Sequence, residues 1–437
     1  FIQTFHFFFF FINNFLFKNW SVTIQQKVPN FFKPSTKEEI LEIIHKYDNI
    51  RFVGTGHSWS PLFETKEAMI SFDNFNKIIS IDKEKLEVVV QPGIKLWHLN
   101  NLLDREGLAL QNLGSIDEQS IAGAILTGTH GSGIQFQCLA AQVMSISLID
   151  GMGNEINLDR NDDSFYGALV SLGSLGVVIA LKLKVCKKYQ LNEITYIEDF
   201  DKILPKIDNY ITENDHFKMW WLPPSKKWVI FTYKRTDKPI NDSKWRIFFH
   251  EKVKSDWGYA IILFIGNLFN KLRPILNKYL TWEYRGPLNR TNKSYKVFKV
   301  PRPPKHRETE WAFDVKDAKT LLVQYQNEFS KPKYSFNFIQ EIRFTKGDDF
   351  WLSPCYKRDS IWIGMYNINV KKYDSDLVDF EFFAKANNGR PHWGKEFNVD
   401  RNYLEKGYPK YQAFIDLRKK MDPKSKFSNP FLFSLFE

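Results

Sequence analysis

The sequence predicts an α+β fold in two domains. Three observations carry this. Strand and helix patterns mix without a regular β–α repeat. Glycine is dense up to about residue 190 and sparse beyond it, where aromatic-rich strands such as "FKMWWLPPSKKWVIFTYKR" begin. No repeat recurs at a period of roughly 20 to 50 residues. The boundary therefore falls near residue 190, giving domains at 19–189 and 190–437.

Along the chain, Ser35 or Thr36 caps a helix in "KPSTKEEILEIIHKY", whose Ile40, Leu41, Ile43 and Ile44 recur at helical spacing. "IRFVGTG" reads as a strand entering a glycine turn. "EAMISFDNFNKIISIDKEKLEVVVQPG" alternates apolar and polar residues around turn signals and reads as strands, and "KLWHLNNLLDREGLAL" returns to a helical period. A glycine-dense zone, "NLGSIDEQSIAGAILTGTHGSG", precedes strand-like runs around Gly151 and Gly153; "SFYGALVSLGSLGVVIALKLKVCKKY" closes this half with a strand. In the second half, residues 257–276, "WGYAIILFIGNLFNKLRPIL", are apolar for about three helical turns and then basic, short of the roughly 20 apolar residues of a membrane span. They read as a buried or subunit-contact helix, with an interfacial membrane helix as the alternative. Residues 1–18 form an apolar stretch interrupted by Asn13 and Asn14, read as an anchor, a signal remnant or an artefact and set outside the fold.

The formal charge is +11, from 61 basic and 50 acidic residues. The basic residues are scattered and no nucleic-acid module signature is present, so the charge fits an anionic cofactor or loose attraction to acidic surfaces. Three cysteines far apart, Cys138, Cys186 and Cys355, indicate neither a disulfide framework nor a zinc site, and no metal site is expected. A reducing, cytoplasmic setting follows, with peripheral attachment to the cytoplasmic membrane left open.

Two glycine turns, "GTGHSWS" and "GTHGSG", carry the chemistry. A pyrophosphate needs several backbone N–H groups at once, and such turns expose them. Neither completes a G-x-G-x-x-G or G-x-x-x-x-G-K-[ST] motif. Two turns in one half-chain, with a third at "SLGSLG", point to a dinucleotide or flavin.

"VGTGHSWSP", then "QNLGSIDEQSIAGAILTGTHGSG" some sixty residues on, with "QEIRF" and "RPHWGK" downstream, resembles the aldonolactone oxidase group of vanillyl-alcohol-oxidase-type flavoproteins over residues 19–437. The resemblance implies a two-part PCMH-type FAD-binding domain. An α+β substrate (cap) domain with a large antiparallel sheet would follow, residues 387–437 returning to the flavin. It implies that His57 is bonded to the 8α methyl carbon of FAD, the flanking glycines letting the backbone approach the ring. Gly54, Thr55, Gly56, Ser58, Ser115, Ser120, Gly123, Thr127, Gly128, Thr129, His130, Gly131 and Gly133 would wrap the cofactor. His130, open to reading as a base, is placed by its turn as a cofactor contact, and His392 likewise.

Glu341 and Arg343 in "FNFIQEIRFT" fall on one face of a strand. By themselves they read as a surface pair; the resemblance turns them toward the flavin, Arg343 stabilising negative charge at the flavin or holding a substrate oxygen, and Glu341 hydrogen-bonding substrate hydroxyls and orienting Arg343. Lys395 of "PHWGK" would assist proton removal from the reacting hydroxyl, its pKa lowered by burial beside Arg343. Alditol oxidases carry a further histidine on the next strand; "IWIGMYNINV" offers Tyr366 and Asn367 instead. The expected activity is FAD-dependent oxidation of a CH–OH group in an L-gulono-, L-galactono- or D-arabinono-1,4-lactone, with O2 as acceptor. The alternatives are a dehydrogenase or polyol oxidase of the same fold, or a non-catalytic protein that keeps the fold.

Overall fold

The computed structural model describes residues 10–242, 259–284, 288–300, 304–334, 336, 338–368 and 375–437. Four strands, β1 (Phe10–Lys18), β2 (Gln25–Lys33), β3 (Ile50–Val53) and β4 (Ala68–Ser71), form a sheet in the order β1-β2-β4-β3. β1 and β2 pair antiparallel in register from Phe10–Lys33 to Lys18–Gln25. Residues 10–18, set outside the fold on composition, are therefore an edge strand: Phe15 stacks on Phe31 with ring centroids 4.2 Å apart. Residues 1–9 lie outside the described residues.

β5 (Ile78–Asp82) and β6 (Glu87–Val90) begin a second sheet, while β7 (Leu108–Ala109) stands apart. β8 (Val143–Ile149), β9 (Glu155–Asp159) and β10 (Val177–Lys184) complete the second sheet in the order β5-β6-β10-β8-β9, and β11 (Cys186–Lys187) pairs with β7. Alternation in β10, buried at Val177, Leu181 and Leu183 and half-exposed at Lys182 and Lys184, is what a sheet with one covered face requires.

The third sheet starts at Gln190. It contains β12 (Gln190–Asp199), β13 (His216–Trp221), β14 (Lys227–Thr236), β15 (Leu288–Lys293), β16 (Arg307–Asp314), β17 (Gln340–Thr345), β18 (Ser360–Asn367) and β19 (Arg390–Pro391). Their order is β15-β12-β14-β13-β17-β18-β16-β19, antiparallel throughout. The fold is α+β.

The C-terminal helices fold back onto the first domain. Arg51, buried in β3, donates to the carbonyls of Leu62 (2.7 Å), Leu172 (2.8 Å), Gly173 (2.9 Å) and Phe427 (2.5 Å), joining two loops to the end of the chain. Residues 257–276 are not a buried helix. Tyr259–Leu268 and Arg273–Glu283 form a helical hairpin whose inner side buries Leu263 and Leu280 and whose outer side exposes Ile261, Phe264, Leu268, Phe269, Ile275 and Trp282. Among the described residues no helix is long and apolar enough to cross a membrane; Trp257 and Gly258 lie outside them.

The "GTHGSG" turn is held by the third sheet: Gly133 N donates to Phe344 O at 2.6 Å, and His216 Nδ1 bonds Ser132 O at 2.6 Å. Burial pulls the His216 imidazole down from 6.5 to about 4. Between these values the unfolded chain binds the proton and the fold does not, so stability falls as pH drops from 6.5 toward 4. Thermal melts across this window should show a loss of about 3 kcal/mol assignable to this residue, and His216→Gln should flatten that part of the profile.

Candidate active site

The two histidine-bearing motifs, more than three hundred residues apart, are bonded backbone to backbone. Trp59 N donates to Gly394 O at 2.8 Å, and Ser60 Oγ donates to Trp393 O at 2.5 Å. The "PHWGKE" loop is in turn threaded along β16: His392 N donates to Glu310 O at 2.8 Å and Glu396 N to Glu308 O at 2.9 Å.

Between them lies a cavity of about 610 Å³, continuous through His57, Ser58, Gln119 and Thr127 with a narrow extension of about 90 Å³. The extension is walled by Gly54, Thr55, Gly56, Ser120 and Gly123. A Cβ at Gly54 would sit 1.8 Å from Ser120 Oγ, and Gly56 has φ +66°, so backbone rather than side chain faces this channel. A backbone-lined channel opening into a wide chamber fits a pyrophosphate with a flat ring system beyond it. His57 lies at the junction, its Nδ1 3.0 Å from Thr55 Oγ1 and its ring stacked on Trp20.

Ser115, Thr127, Thr129, His130 and His392 also line the chamber. Gly128, Gly131 and Gly133 line neither space. Gly128 (φ +71°) and Gly133 (φ +121°) serve the turn itself, and a Cβ at Gly131 would be 2.3 Å from Asn112 Oδ1.

The far wall is one face of the third sheet. Register sets Trp220 opposite Glu341, Glu341 opposite Gly364 and Gly364 opposite Glu310; in the next row Lys218 faces Arg343. Side chains two apart share a face, so Lys218, Trp220, Glu308, Glu310, Glu341, Arg343 and Tyr366 all line the chamber. Glu341 is saturated. Oε1 accepts from Lys218 Nζ (3.1 Å) and Trp220 Nε1 (2.9 Å), while Oε2 accepts from Tyr366 OH (3.2 Å) and Arg343. Burial alone would raise its carboxyl; Arg343 and Lys218 outweigh that and hold it at about 2. With its lone pairs filled by the protein, Glu341 anchors two cations and does not offer itself to substrate hydroxyls as expected. Arg343 has a second donor bond, to Ser115 Oγ at 3.0 Å, which ties the sheet to the first domain.

Lys395 is not beside Arg343 as expected. Its Nζ is ion-paired with Glu308 Oε2 and lies 4.3 Å from the centroid of the Trp59 ring. Glu310 faces His130 at 3.4 Å and is buried with it and His392. These three resemble a metal triad in residue type. His392, however, accepts from Gly394 N at Nδ1 (3.0 Å); its Nε2 therefore carries the hydrogen and has no lone pair to offer. Burial pulls His392 down to about 3, so it is neutral. His130 stacks on Trp362 with centroids 3.8 Å apart, a wall position and not that of a free base.

Lys218, Glu308, Glu310 and His306 are site residues that motif reading missed. Their one signal is period-two alternation in "HRETEW" and "FKMW", indistinguishable from an ordinary strand until the register is known. Removing one partner of such a buried pair leaves an uncompensated charge. Lys218→Met should cost about 3–5 kcal/mol in denaturant unfolding, and the double variant K218M/E341Q should cost less than the two single changes summed.

The fold and the glycine-walled channel define a class. Cholesterol oxidase from Brevibacterium sterolicum superposes with a TM-score of 0.84 over 98% of both chains at 14% identity, and the FAD binding domain profile matches residues 29–159: this is a PCMH-type flavoprotein fold, and FAD is its cofactor. The D-arabinono-1,4-lactone oxidase profile matches residues 181–435, and the chain belongs to that family. L-gulonolactone oxidase of Bos taurus is 31% identical over 96% of this chain and 98% of its own length. L-gulono-1,4-lactone dehydrogenase of Mycobacterium tuberculosis is 29% identical over 91% and 94%. The chain is thus a member of an FAD-dependent oxidoreductase family acting on aldonolactones.

Proposed function

We propose that this protein oxidises a secondary CH–OH group of an L-gulono-, L-galactono- or D-arabinono-1,4-lactone, with O2 as the final acceptor and hydrogen peroxide as co-product. The observation that carries this reading is charge compensation in the chamber. Arg343, Lys218 and Lys395 are balanced by three carboxylates: Glu341 pairs with the first two, Glu310 also acts on Arg343, and Glu308 pairs with Lys395. A chamber whose ions already have partners suits a neutral polyhydroxylated molecule, since an anionic substrate would need an unmatched cation. Relatives named as lactone oxidases and as a lactone dehydrogenase support the substrate class.

FAD, when bound, accepts the hydride from the carbinol carbon. Arg343, held by Glu341 and Ser115, presents its remaining N–H groups to negative charge developing at the cofactor or at a substrate oxygen. Lys395, approaching from the opposite loop, holds the reacting hydroxyl and takes part in removing its proton. Trp59 and Trp20 shield that end from water. His57, at the mouth of the channel, is positioned for a covalent bond to the ring. Acid precipitation of the purified protein should leave yellow colour in the pellet, and His57→Ala should release it. The same preparation should yield peroxide with a panel of 1,4-lactones; anaerobic dye reduction without peroxide would identify a dehydrogenase instead.

The outer side of the 259–283 hairpin favours a second element of this reading, peripheral attachment to an anionic membrane surface. Its exposed Ile261, Phe264, Leu268, Phe269, Ile275 and Trp282 are flanked by Lys271 and Lys278, on a chain of formal charge +11. The protein should co-sediment with phosphatidylserine-containing vesicles and not with purely zwitterionic ones. The double variant F264D/F269D should stay in the supernatant with its flavin intact.

A further inference from the structure

His306 and His130 share an arrangement that lactone binding does not call for. Each commits Nδ1 to a backbone carbonyl, Pro304 O at 2.8 Å and Gly131 O at 2.9 Å. A carbonyl only accepts, so each Nδ1 carries the ring hydrogen. In the neutral ring the His306 Nε2 lone pair then points at Glu308 Oε2, 3.4 Å away, whereas His130 Nε2 lies 3.4 Å from Glu310 Oε1 without hydrogen-bond geometry. Two lone pairs facing each other across a buried gap are a vacant place for one proton.

The two gaps differ in what connects to them. The Trp362 ring stacks on the face of His130, and the neighbouring His392 has no lone pair to pass a proton through. The Glu308 gap opens on the reacting end, because Lys395 Nζ is ion-paired with the same Oε2 that faces His306. Trp20, Trp59 and Phe338 wall His306, their ring centroids 5.5, 5.1 and 5.6 Å from its own, and Trp59 Nε1 donates to His306 O at 2.7 Å.

We propose that Lys395, Glu308 and His306 form a one-way proton relay that takes up the hydroxyl proton released on substrate oxidation; this rests on the alcohol-oxidation reading above. The carbinol C–H bond breaks with its electron pair leaving as hydride to FAD, the O–H bond breaks, and a C=O bond forms. The lone pair that takes the hydroxyl proton is freed on Lys395 Nζ when the ammonium passes one of its own protons to Glu308 Oε2. That proton then settles between Oε2 and His306 Nε2, and Lys395 is an ammonium again. Lys395 acts on the substrate; Glu308 and His306 act through it. The other titratable groups that face Glu308 are Tyr366, opposite it on β18, and Glu396, whose carboxyl burial pushes up to about 7 against the pull of Arg307.

The test pairs a substrate-free readout with a kinetic one, both on the FAD-loaded enzyme. Nitrogen NMR of histidine-labelled protein, with the His306 resonances identified by their loss in His306→Gln, should show an unprotonated Nε2 in the oxidised enzyme at about pH 7.5. After anaerobic reduction by L-gulono-1,4-lactone, Nε2 should be protonated. In stopped-flow, Glu308→Gln should keep its flavin spectrum and slow flavin bleaching about 100-fold, with at least a tenfold recovery in Glu308→Asp. A protonated Nε2 in the oxidised enzyme, or bleaching of Glu308→Gln within threefold of wild type, would overturn the relay. Should Glu308→Gln lose FAD, His306→Gln takes its place in the kinetic arm, with a slowing of about tenfold expected and a wild-type rate overturning the proposal. If no lactone bleaches the wild-type flavin, the substrate reading fails, while the oxidised-state NMR result still decides for or against the vacant proton site.

Discussion

Glu341 is the interaction on which the rest of the site depends. Four donors from three strands converge on its two oxygens: Lys218 and Trp220 on β13, Arg343 on β17 itself and Tyr366 on β18. A carboxylate buried this deeply costs several kcal/mol in lost hydration unless its lone pairs are filled and its charge is matched. Both conditions are met, and the three strands are thereby fixed to one register at the point where the chamber wall must be rigid. Arg343 can then reach across to Ser115 and hold the first domain at a set distance.

The same logic repeats along β16. Glu308 and Glu310 are two apart, so both face the chamber, and each draws a basic group toward it: Lys395 to one, His130 to the other. The loop bearing Lys395 and His392 is held by main-chain bonds to these very residues, so the strand positions the loop and supplies its counter-charges together. Gly364 separates Glu341 from Glu310 in the register. A side chain there would meet the Tyr366 ring at 3.2 Å, so its lack of one keeps the middle of the wall open.

How much of this was legible in the sequence follows from contact distance along the chain. The "GTGHSWS" turn, the Glu341–Arg343 alternation and "PHWGK" are local patterns, and local patterns can be read. Lys218 was not legible, because its meaning comes from a partner 123 residues away. Glu308 lies in a stretch that also reads as a half-buried strand with solvated charges. Lys395, which lines the chamber, was expected beside Arg343, and its ion partner is Glu308. The edge strand at 10–18 was hidden by composition: consecutive phenylalanines resemble a targeting segment, whereas pairing with β2 turns Phe15 onto Phe31. For the hairpin, the apolar run left open whether one side or both is covered, because an apolar period carries no such information; one side is.

The return of the C-terminal segment to the first domain has a consequence for the order in which the enzyme is made. Phe427 O receives Arg51, Gly151 N donates to Met421 O, and the "HWGK" loop clasps the "GHSWS" turn. A nascent chain leaving the ribosome can fold its first two sheets early. Until residues 390–437 have emerged, however, Arg51 lacks its last acceptor and the turn bearing His57 lacks the loop that closes over it. A chain that ended before this segment would therefore present an open cleft in place of a closed site.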